Sequence, residues 1–422
     1  MRLRDRVLGG LRRRLGENGL PLTLVFWDGD AYELGVAPRV TIALTKRALL
    51  PALLRGDIDA LAAAYVRGDL GVEGRLRDIL AVGIALAERI GKLAWLRRLG
   101  TMLAARRFRH SRAADAGAIR HHYDVSNEFY ALWLDRQMIY SCAYFHTGTE
   151  DIDAAQEQKL DHICRKLQLK PGERLLDIGC GWGGLLIWAA QRYGVSGVGV
   201  TLSERQHEFA SRRVAEIGLA QRIEIRLQDY RDITGEETFD KIVSVGMYEH
   251  VGRANLPLYF GTIRRLLKAG GVALNHGITT GDPDDGPQSP PGAGFIDRYV
   301  FPGGELPHIA RVVSEMARQG LEILDVETLR PHYGETLLRW MQRLEAARDP
   351  AIALAGIERY RIWRIYMAGC AFAFERGWMS LHQVVATKPD AAGLAPRPWT
   401  RRHQYVPEDE AILSRPLRWG GL

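Results

Sequence analysis

A carboxylate and an imidazole follow an apolar segment in the stretch VSVGMYEHVG, residues 243–252. The run KIVSV, residues 241–245, is short, mostly apolar and β-branched, which is typical of a central strand in a parallel sheet. Glu249 and His250 come just after its carboxyl end, where open α/β sheets bind their ligands. We therefore predict that Glu249 holds a ligand or assists a reaction, and we interpret His250 as structural.

A glycine-rich segment, LLDIGCGWGG at residues 175–184, is the strongest motif in the chain. Gly179, Gly181 and Gly184 satisfy the pattern G-x-G-x-x-G after a predicted strand, which is typical of a dinucleotide-binding loop. Such a site also requires an acidic residue about 20 positions further on, at the end of the second strand. The sequence has Gly-Val-Thr there, at residues 199–201, so the motif does not favour NAD.

Two further features of this loop favour S-adenosylmethionine. Asp177 lies two residues before the first glycine, and Gly183 adds another glycine, which gives the pattern D-x-G-x-G-x-G. No pyrophosphate has to be bound, so the helix after the loop is free to meet an uncharged sugar and a carboxylate. We predict this methyl donor; NAD binding and a purely structural tight turn are the weaker alternatives.

The segments that must position these motifs alternate between strand and helix patterns. Strands are predicted at residues 173–178, 195–200, 222–227, 239–245 and 271–276, with a late strand near 383–387. This order predicts an α/β fold, a doubly wound, mostly parallel sheet with helices on both faces. Residues 279–294 are rich in Pro, Gly and Asp, and we predict a lid or binding loop there.

The first hundred residues predict a separate small α+β domain. A hairpin is predicted at residues 22–35, a strand at 40–44, and helices at 48–67 and 76–99. The predicted organisation is an N-terminal domain at 1–100, a basic linker at 101–115, a catalytic domain at 116–400 and a C-terminal tail at 401–422.

Charge is concentrated at the N-terminus of this 422-residue chain, whose net charge is +7. Residues 1–114 hold 21 Lys and Arg against 11 Asp and Glu. This surplus predicts an anionic partner, either a membrane or a nucleic acid, although a soluble basic domain without such a partner has the same composition. An apolar helical stripe beside arginines could lie on a bilayer or pack on its own domain; it is formed by Leu3, Val7, Leu8, Leu11 and Leu15.

Two absences in the sequence bear on location. The chain has no secretory signal pattern and no apolar run long enough to span a membrane. The cysteines form no C-x-x-C pair and no metal-ligand spacing, so we expect no metal and a reduced, intracellular protein. They are Cys142, Cys164, Cys180 and Cys370.

Several motifs together resemble those of the cyclopropane-fatty-acyl-phospholipid synthases and the related mycolic acid cyclopropane synthases. They are YDVSNEFYALWLD, MIYSCAYF, LLDIGCGWGG, TLSERQ, LQDYRD, GMYEHVG, NHGI and FIDRYVFPGGELP, in order over about residues 120–390. Residues 1–110 resemble, more loosely, the N-terminal domain of the longer members, which is linked with lipid presentation. The resemblance implies a class I S-adenosylmethionine-dependent methyltransferase fold.

The resemblance also implies which residues bind the donor. Asp177 and the loop glycines would line its site together with residues of YSCAYF. Thr201, Ser203 and Gln206 would replace the ribose-binding acid of other enzymes, and Tyr230 would flank the adenine. The loop and YSCAYF residues are Gly179, Gly181, Gly183, Tyr140 and Ser141.

The implied reaction transfers a methylene group to the cis double bond of an unsaturated acyl chain in a membrane phospholipid. Methyl transfer to an alkene leaves a carbocation, and ring closure then requires a modest base that removes one proton. In the family this base is a bound bicarbonate ion, and Cys370 matches a cysteine discussed there as catalytic. The implied bicarbonate ligands are Cys142, Glu249, His276, the Ile278 backbone and Tyr333.

Other functions were weighed against this one. A lipid C-methyltransferase that leaves a methyl or methylene branch shares the fold, donor and substrate, and stays open. An RNA methyltransferase is disfavoured because the basic surplus lies outside the donor domain. A non-catalytic lipid carrier is disfavoured by the complete donor loop. We expect a cytoplasmic protein associated peripherally with the inner face of the membrane, no nucleic-acid partner, and allow a homodimer.

Overall fold

The computed structural model describes residues 3–15, 19–90, 126–283, 292–395, 397–406 and 417–419. The predicted basic linker at 101–115 lies outside the described residues, as do 284–291 of the predicted loop and most of the predicted tail. The chain divides into two compact units. The first comprises Met1–Arg109, Pro287–Pro302 and Arg348–Ala373, and the second comprises His110–Gly286, Gly303–Ala347 and Phe374–Leu422.

The N-terminal part of the chain alternates helices and short strands. In chain order these are α1 (Leu3–Leu15), β1 (Gly19–Val25), β2 (Ala31–Gly35), β3 (Val40–Leu44), α2 (Leu50–Arg55), α3 (Ile58–Arg67), β4 (Leu70–Gly74) and α4 (Leu76–Ile90). The strands form one sheet in the order β2-β1-β3-β4. The predicted hairpin and the strand at 40–44 are confirmed, and β4, with glycines at both of its ends, was not predicted.

The arginine-flanked helix α1 contributes to the core of the first unit. Val7, Leu8, Leu11 and Leu15 are all buried there against the sheet and α4. Of the two interpretations of this apolar stripe, the structure therefore supports packing on its own domain. These four side chains are therefore not available for insertion into a bilayer.

The remaining elements follow in chain order. They are α5 (Asn127–Ala131), α6 (Ile152–Lys166), β5 (Arg174–Ile178), α7 (Gly184–Tyr193), β6 (Ser196–Thr201), α8 (Glu204–Glu216), β7 (Ile223–Leu227), β8 (Phe239–Val245), α9 (Tyr248–Val251), α10 (Leu256–Leu266), β9 (Leu267–Thr280), α11 (Ala293–Tyr299), α12 (Ile309–Arg318), β10 (Glu322–Thr328), α13 (Arg330–Ala346), α14 (Arg348–Glu375, interrupted at Gly356), β11 (Met379–Thr387) and α15 (Arg402–Tyr405).

The second unit is built on a seven-stranded sheet in the order β10-β11-β9-β8-β5-β6-β7. Strands β9, β8, β5, β6 and β7 are parallel, whereas β11 and β10 are antiparallel additions at one side. Apolar clusters cover both faces of the sheet. The predicted doubly wound, mostly parallel sheet is confirmed.

The topology brings several chemically interesting residues to one edge of this sheet. Because β5, β6, β8 and β9 are parallel, their carboxyl ends lie side by side. Asp177, Thr201 and His276 lie at or near these ends, and the segment with Glu249 follows β8. None of the helices among the described residues combines the length and apolar character needed to cross a membrane.

Candidate active site

The glycine loop after β5 is held against the neighbouring strand. The amides of Gly179 and Cys180 both donate to the Val200 carbonyl, at 3.0 and 3.1 Å. Gly179 and Gly181 have φ of +84° and +55°, a left-handed conformation that favours glycine. Gly183, also left-handed, caps the start of α7, and a Cβ on it would lie 3.3 Å from the Ala210 Cβ. Gly183 therefore serves the turn and the packing of the helix.

A cleft of about 1160 Å³, including its open mouth, lies over this loop. Most of the residues predicted to bind the methyl donor line this cleft, but Gly183 and Ser203 do not. Gly183 has the packing role given above, and Ser203 caps α8, where its hydroxyl accepts a hydrogen bond from the Gln206 amide at 3.3 Å. The predicted residues that line the cleft are Tyr140, Ser141, Asp177, Gly179, Gly181, Thr201, Gln206 and Tyr230.

Neutral side chains stand at the end of β6, where a dinucleotide site has an acid. The Thr201 hydroxyl donates to Gln206 Oε1 at 2.8 Å and accepts from the Ser203 amide at 3.2 Å. This pairing leaves the amide nitrogen of Gln206 as a hydrogen-bond donor at the cleft. The arrangement suits an uncharged sugar.

The end of β7 contributes more of the cleft than the single tyrosine that was predicted. Gln228 and Asp229 line it beside Tyr230. Asp229 accepts two hydrogen bonds from the Arg231 guanidinium, at 2.9 and 2.6 Å, and Tyr230 packs edge-on against Tyr259. Gln228 and Asp229 directly follow the carboxyl end of β7, and this position was the signal that could have identified them.

The segment that carries Tyr140 and Ser141 is fixed by buried polar groups. The Asp135 carboxylate accepts hydrogen bonds from the amides of Gln137 and Ile139, at 2.8 and 2.9 Å, and Met138 between them has φ of +59°. Arg213 of α8 donates to two successive carbonyls of this segment, at 3.0 and 3.1 Å. The segment lies directly on the start of α7, because a Cβ on Gly184 would collide with it.

The described C-terminal residues support Arg213. The Trp419 ring lies 5.1 Å from the Arg213 guanidinium, which is only 1% exposed. Gln191 of α7 holds the neighbouring Arg418 backbone with two hydrogen bonds, of 2.8 and 2.9 Å. No sequence pattern pointed to this contact, because it joins residues that are far apart in the chain.

Glu249 lies on the short helix α9 and is buried. Its Oε1 accepts the Ile278 amide at 2.7 Å, while its Oε2 has no hydrogen-bond partner among the described residues. Burial raises the pKa of this carboxyl to about 7, and the bond from Ile278 opposes the shift. The Ile278 amide, predicted to face an ion, therefore holds Glu249.

Glu305 of the FPGGELP motif fastens the Glu249 segment from outside. Its amide donates to the Glu249 carbonyl at 3.0 Å, and its carboxylate accepts the Arg253 amide at 2.8 Å. On the other side, the Gly246 amide donates to the His276 carbonyl at 2.8 Å. The turn from β8 to α9 is thus tied to two neighbouring segments.

His276 lies on β9 and is fully enclosed. Its Nδ1 faces the Gln383 amide nitrogen at 3.1 Å, so Nδ1 accepts and Nε2 carries the proton. Nε2 has no partner in the part of the chain that the structure describes. Burial, assisted by the positive charge of Lys159, lowers the pKa of this imidazole well below its ordinary value. His276 is therefore a neutral, unpartnered N–H donor.

Cys142 and Tyr333 are connected through α13. The buried Cys142 thiol donates to the Ala143 carbonyl at 3.2 Å, and burial raises its pKa, which keeps it protonated. The Ala143 amide donates to Thr336 Oγ1 at 3.0 Å, one helical turn from Tyr333. Tyr333 in turn packs on the Phe374 ring, with centroids 4.7 Å apart.

Aromatic rings surround Tyr140 at the cleft. Its ring centroid lies 5.3 Å from that of Trp340, 5.5 Å from Trp133 and 5.7 Å from Tyr130. Aromatic faces attract cations, and three of these rings, those of Tyr130, Trp133 and Trp340, are fully buried. The structure thus groups eight of the ten predicted donor residues in one cleft, with Gly183 and Ser203 outside its lining, and the other predicted residues, Cys370 excepted, on segments of the same unit. Their roles in a reaction stay predictions.

Cys370 lies in the other compact unit, on α14. Its thiol is buried, and burial raises its pKa to about 12. Such a thiol is a poor nucleophile, because the thiolate is the reactive form. A catalytic role for Cys370 stays a prediction.

Comparison with known proteins identifies the family. Residues 110–384 match the family described as mycolic acid cyclopropane synthetase, and residues 16–90 match a domain family of unknown function. A probable fatty acid methyltransferase of Pseudomonas putida is 45% identical over 92% of this chain and 96% of its own length. The cyclopropane-fatty-acyl-phospholipid synthase of Escherichia coli K12 is 41% identical over 65% of this chain and 69% of its own.

A solved structure extends the match to three dimensions. Mycolic acid cyclopropane synthase CmaA1, complexed with SAH and CTAB, is 36% identical, covers 65% of this chain and 98% of its own, and superposes with a TM-score of 0.61. Together with the cleft described above, these matches show that the chain belongs to the mycolic acid cyclopropane synthetase family and is a methyltransferase of the class I fold.

Proposed function

We propose that the protein transfers a methylene unit from S-adenosylmethionine to the cis double bond of an unsaturated acyl chain in a membrane phospholipid, forming a cyclopropane ring. The E. coli relative carries the name of this activity. The solved relative was crystallised with SAH, the demethylated donor, and with CTAB, a long-chain amphiphile.

The reaction makes three demands on the protein. The donor supplies a sulfonium methyl, and an alkene is so weak a nucleophile that the two must meet in close, dry contact. The carbocation that follows must be kept from water, for which the aromatic cluster around Tyr140 is suited. One proton must then leave the methyl group that was delivered, and that step needs a modest base.

The observation that carries the proposal is the pair of buried, unpartnered polar atoms, Glu249 Oε2 and His276 Nε2. One is an acceptor and the other a donor, and buried polar groups without a partner are costly unless a ligand satisfies them. Bicarbonate fits this pair, because its hydroxyl can donate to Glu249 while its other oxygens accept from His276. Met247, two residues before Glu249, and His250, the residue after it, line the donor cleft.

Bicarbonate, when bound, supplies the modest base that ring closure requires. In the proposed arrangement Glu249 Oε2 accepts a hydrogen bond from the hydroxyl of the ion, and the His276 N–H and the groups of Cys142 and Tyr333 orient the remaining oxygens. The Ile278 amide contributes indirectly, because it donates a hydrogen bond to Glu249 Oε1 and so positions that carboxylate.

A second candidate product is a methylene- or methyl-branched acyl chain. It is favoured by the 45% identity to a probable fatty acid methyltransferase, which extends over 92% of this chain. The donor, the cleft and the cation are the same in both cases. The ring and the methylene branch differ in which carbon loses its proton, whereas a saturated methyl branch requires in addition that a separate hydride donor reduces the methylene-branched product.

Peripheral membrane contact belongs to the proposal as well, as does a homodimer. The membrane contact is supported by the positive surplus of residues 1–114 and by exposed arginines on α1, Arg12 and Arg13.

The test is analysis of phospholipid acyl chains from cells that express the protein, with cells expressing an inactive variant as control. A mass gain of one methylene together with the high-field proton signals of a cyclopropane ring supports the first candidate. The same gain with olefinic methylene signals, or a further two hydrogens with a methyl branch, supports the second. Unchanged acyl chains from a protein that binds the donor contradict both.

A further inference from the structure

Lys159 is a buried cation in the donor cleft that no motif singled out. It lies on α6, is 2% exposed, and lines the cleft beside Ser141 and Asp177. Its Nζ donates to Ser141 Oγ at 2.9 Å. Within the described residues this ammonium makes no other hydrogen bond and no ion pair, so two of its three N–H donors remain unused.

This contact fixes the direction of the Ser141 hydroxyl. An ammonium can only donate, so Ser141 Oγ must be the acceptor and its own hydrogen must point elsewhere. The backbone of Ser141 is already held, because its carbonyl accepts from Gln156 Nε2 at 2.8 Å. The cleft wall at this point therefore offers a hydroxyl donor backed by a positive charge.

An anionic oxygen is the ligand that matches such a pair. The glycine loop and Asp177 line the same cleft as Lys159 and Ser141, and the methionine end of the donor carries both a carboxylate and an ammonium. We propose that Lys159 is a positioning residue for the methyl donor: it orients the Ser141 hydroxyl toward the methionine carboxylate, while Asp177 faces the ammonium. The inference rests on the proposed use of this donor and not on the product formed.

The charges around Lys159 support this arrangement. Burial lowers the pKa of Lys159 to about 8, and the nearby carboxylates of Asp135 and Asp177 oppose that shift, which favours the charged ammonium. Burial raises the pKa of Asp177 to about 7, and the charge of Lys159 opposes that rise. Lys159 thus helps to keep Asp177 ionised for the donor's ammonium.

The test compares two ligands that differ only at the methionine end. S-Adenosylhomocysteine has the amino-acid group, and 5′-methylthioadenosine has the same nucleoside and thioether without it. In calorimetry with the full chain, Lys159→Met should weaken the binding of S-adenosylhomocysteine by about ten- to a hundredfold. This is the effect expected when the charge-assisted hydrogen bond from the Ser141 hydroxyl to the ligand's carboxylate is lost. Binding of 5′-methylthioadenosine should change by no more than about twofold. Lys170→Met, which removes an exposed charge just after the same helix, should change neither.

A double-mutant cycle separates positioning from a general structural effect. Because Lys159 acts through Ser141, the losses caused by Lys159→Met and Ser141→Ala should not add. Fully additive losses, an equal loss of both ligands, or unchanged S-adenosylhomocysteine binding would each overturn the proposal. If Lys159→Met does not fold, Lys159→Gln decides by the same ligand pair, with a selective loss of S-adenosylhomocysteine as the expected result.

The design also distinguishes this inference from the proposed function. Wild-type protein that binds neither ligand contradicts the use of the donor itself. Wild-type protein that binds both, with a Lys159 variant that does not discriminate between them, contradicts only the role of Lys159.

Discussion

Replacing Glu249 by glutamine should stabilise the fold while it removes activity. Burial raises the pKa of the Glu249 carboxyl from an ordinary 4.5 to about 7, so the folded protein holds its proton more tightly than the unfolded chain. By linkage, this group lowers the free energy of unfolding as pH rises from its unfolded pKa to its folded one. The full pKa shift corresponds to a loss of about 3 kcal/mol in the free energy of unfolding of the wild type. The glutamine variant does not suffer this loss, because its side chain cannot ionise.

The effect on catalysis should have the opposite sign. The amide retains an acceptor oxygen and the shape of the side chain, but it carries no charge with which to make a bound ion more basic. Removing such assistance to a base reduces turnover by about 10²–10⁴-fold. Donor affinity should remain near that of the wild type, because the side chains of the cleft are unchanged.

Both effects can be measured on one preparation. Urea unfolding at about pH 5 and about pH 8 should show the variant gaining some 2–3 kcal/mol relative to wild type between the two. Glu208→Gln, at an exposed position of α8, is the control and should show no such pH-dependent gain. Parallel stability curves for wild type and Glu249→Gln would refute the electrostatic reasoning. A variant with full ring-forming activity would mean that Glu249 only holds the Ile278 amide.

Three further outcomes are expected. Trp419→Ala should weaken donor binding by about 1 kcal/mol, because its ring covers the guanidinium that fixes the cleft segment, whereas Trp399→Ala, at a fully exposed ring, should not; equal calorimetric affinities for both variants would contradict this. Gly184→Ala should lower the free energy of unfolding by about 1–3 kcal/mol through overpacking and also reduce donor affinity, and an unchanged urea midpoint would count against it. Arg12→Glu with Arg13→Glu should weaken binding to anionic vesicles, measured by sedimentation, by about 1 kcal/mol or more of binding free energy per residue. Added salt should weaken the binding of the wild type as well, and salt-independent binding would argue against membrane contact through charge.

The sequence predicts the donor half of the site well for a physical reason. Strands β5 to β8 are short segments of apolar or alternating residues, so their ends could be assigned to within a residue or two. Because these strands are parallel, their ends also fix where Asp177 and Thr201 lie. Local pattern and topology agree there, and a glycine loop adds its own signature.

The parts that were missed depend on contacts between distant segments. Lys159 and Arg213 lie on helices whose charged residues look like a solvated face, and only the folded structure shows that both are buried. Strand β10 was not predicted because its sequence, EILDVET, contains acidic residues, Asp325 and Glu327, that form ion pairs with Lys166 in the folded protein. Glu327 pairs with Lys166 of α6 at 2.5 Å, a partner 161 residues away. No local pattern contains such a pair.

The place of β11 in the sheet has a consequence for how the enzyme matures during synthesis. This late strand lies between β9 and β10 and pairs with both, and its Gln383 sets the proton position on His276. A nascent chain can therefore assemble β5 to β8 and the glycine loop long before His276 acquires its partner. Until residues 379–387 have left the ribosome, β9 keeps an open edge and the imidazole lacks its fixed tautomer. The glycine loop can thus be in place before the His276 side chain acquires its hydrogen-bond partner.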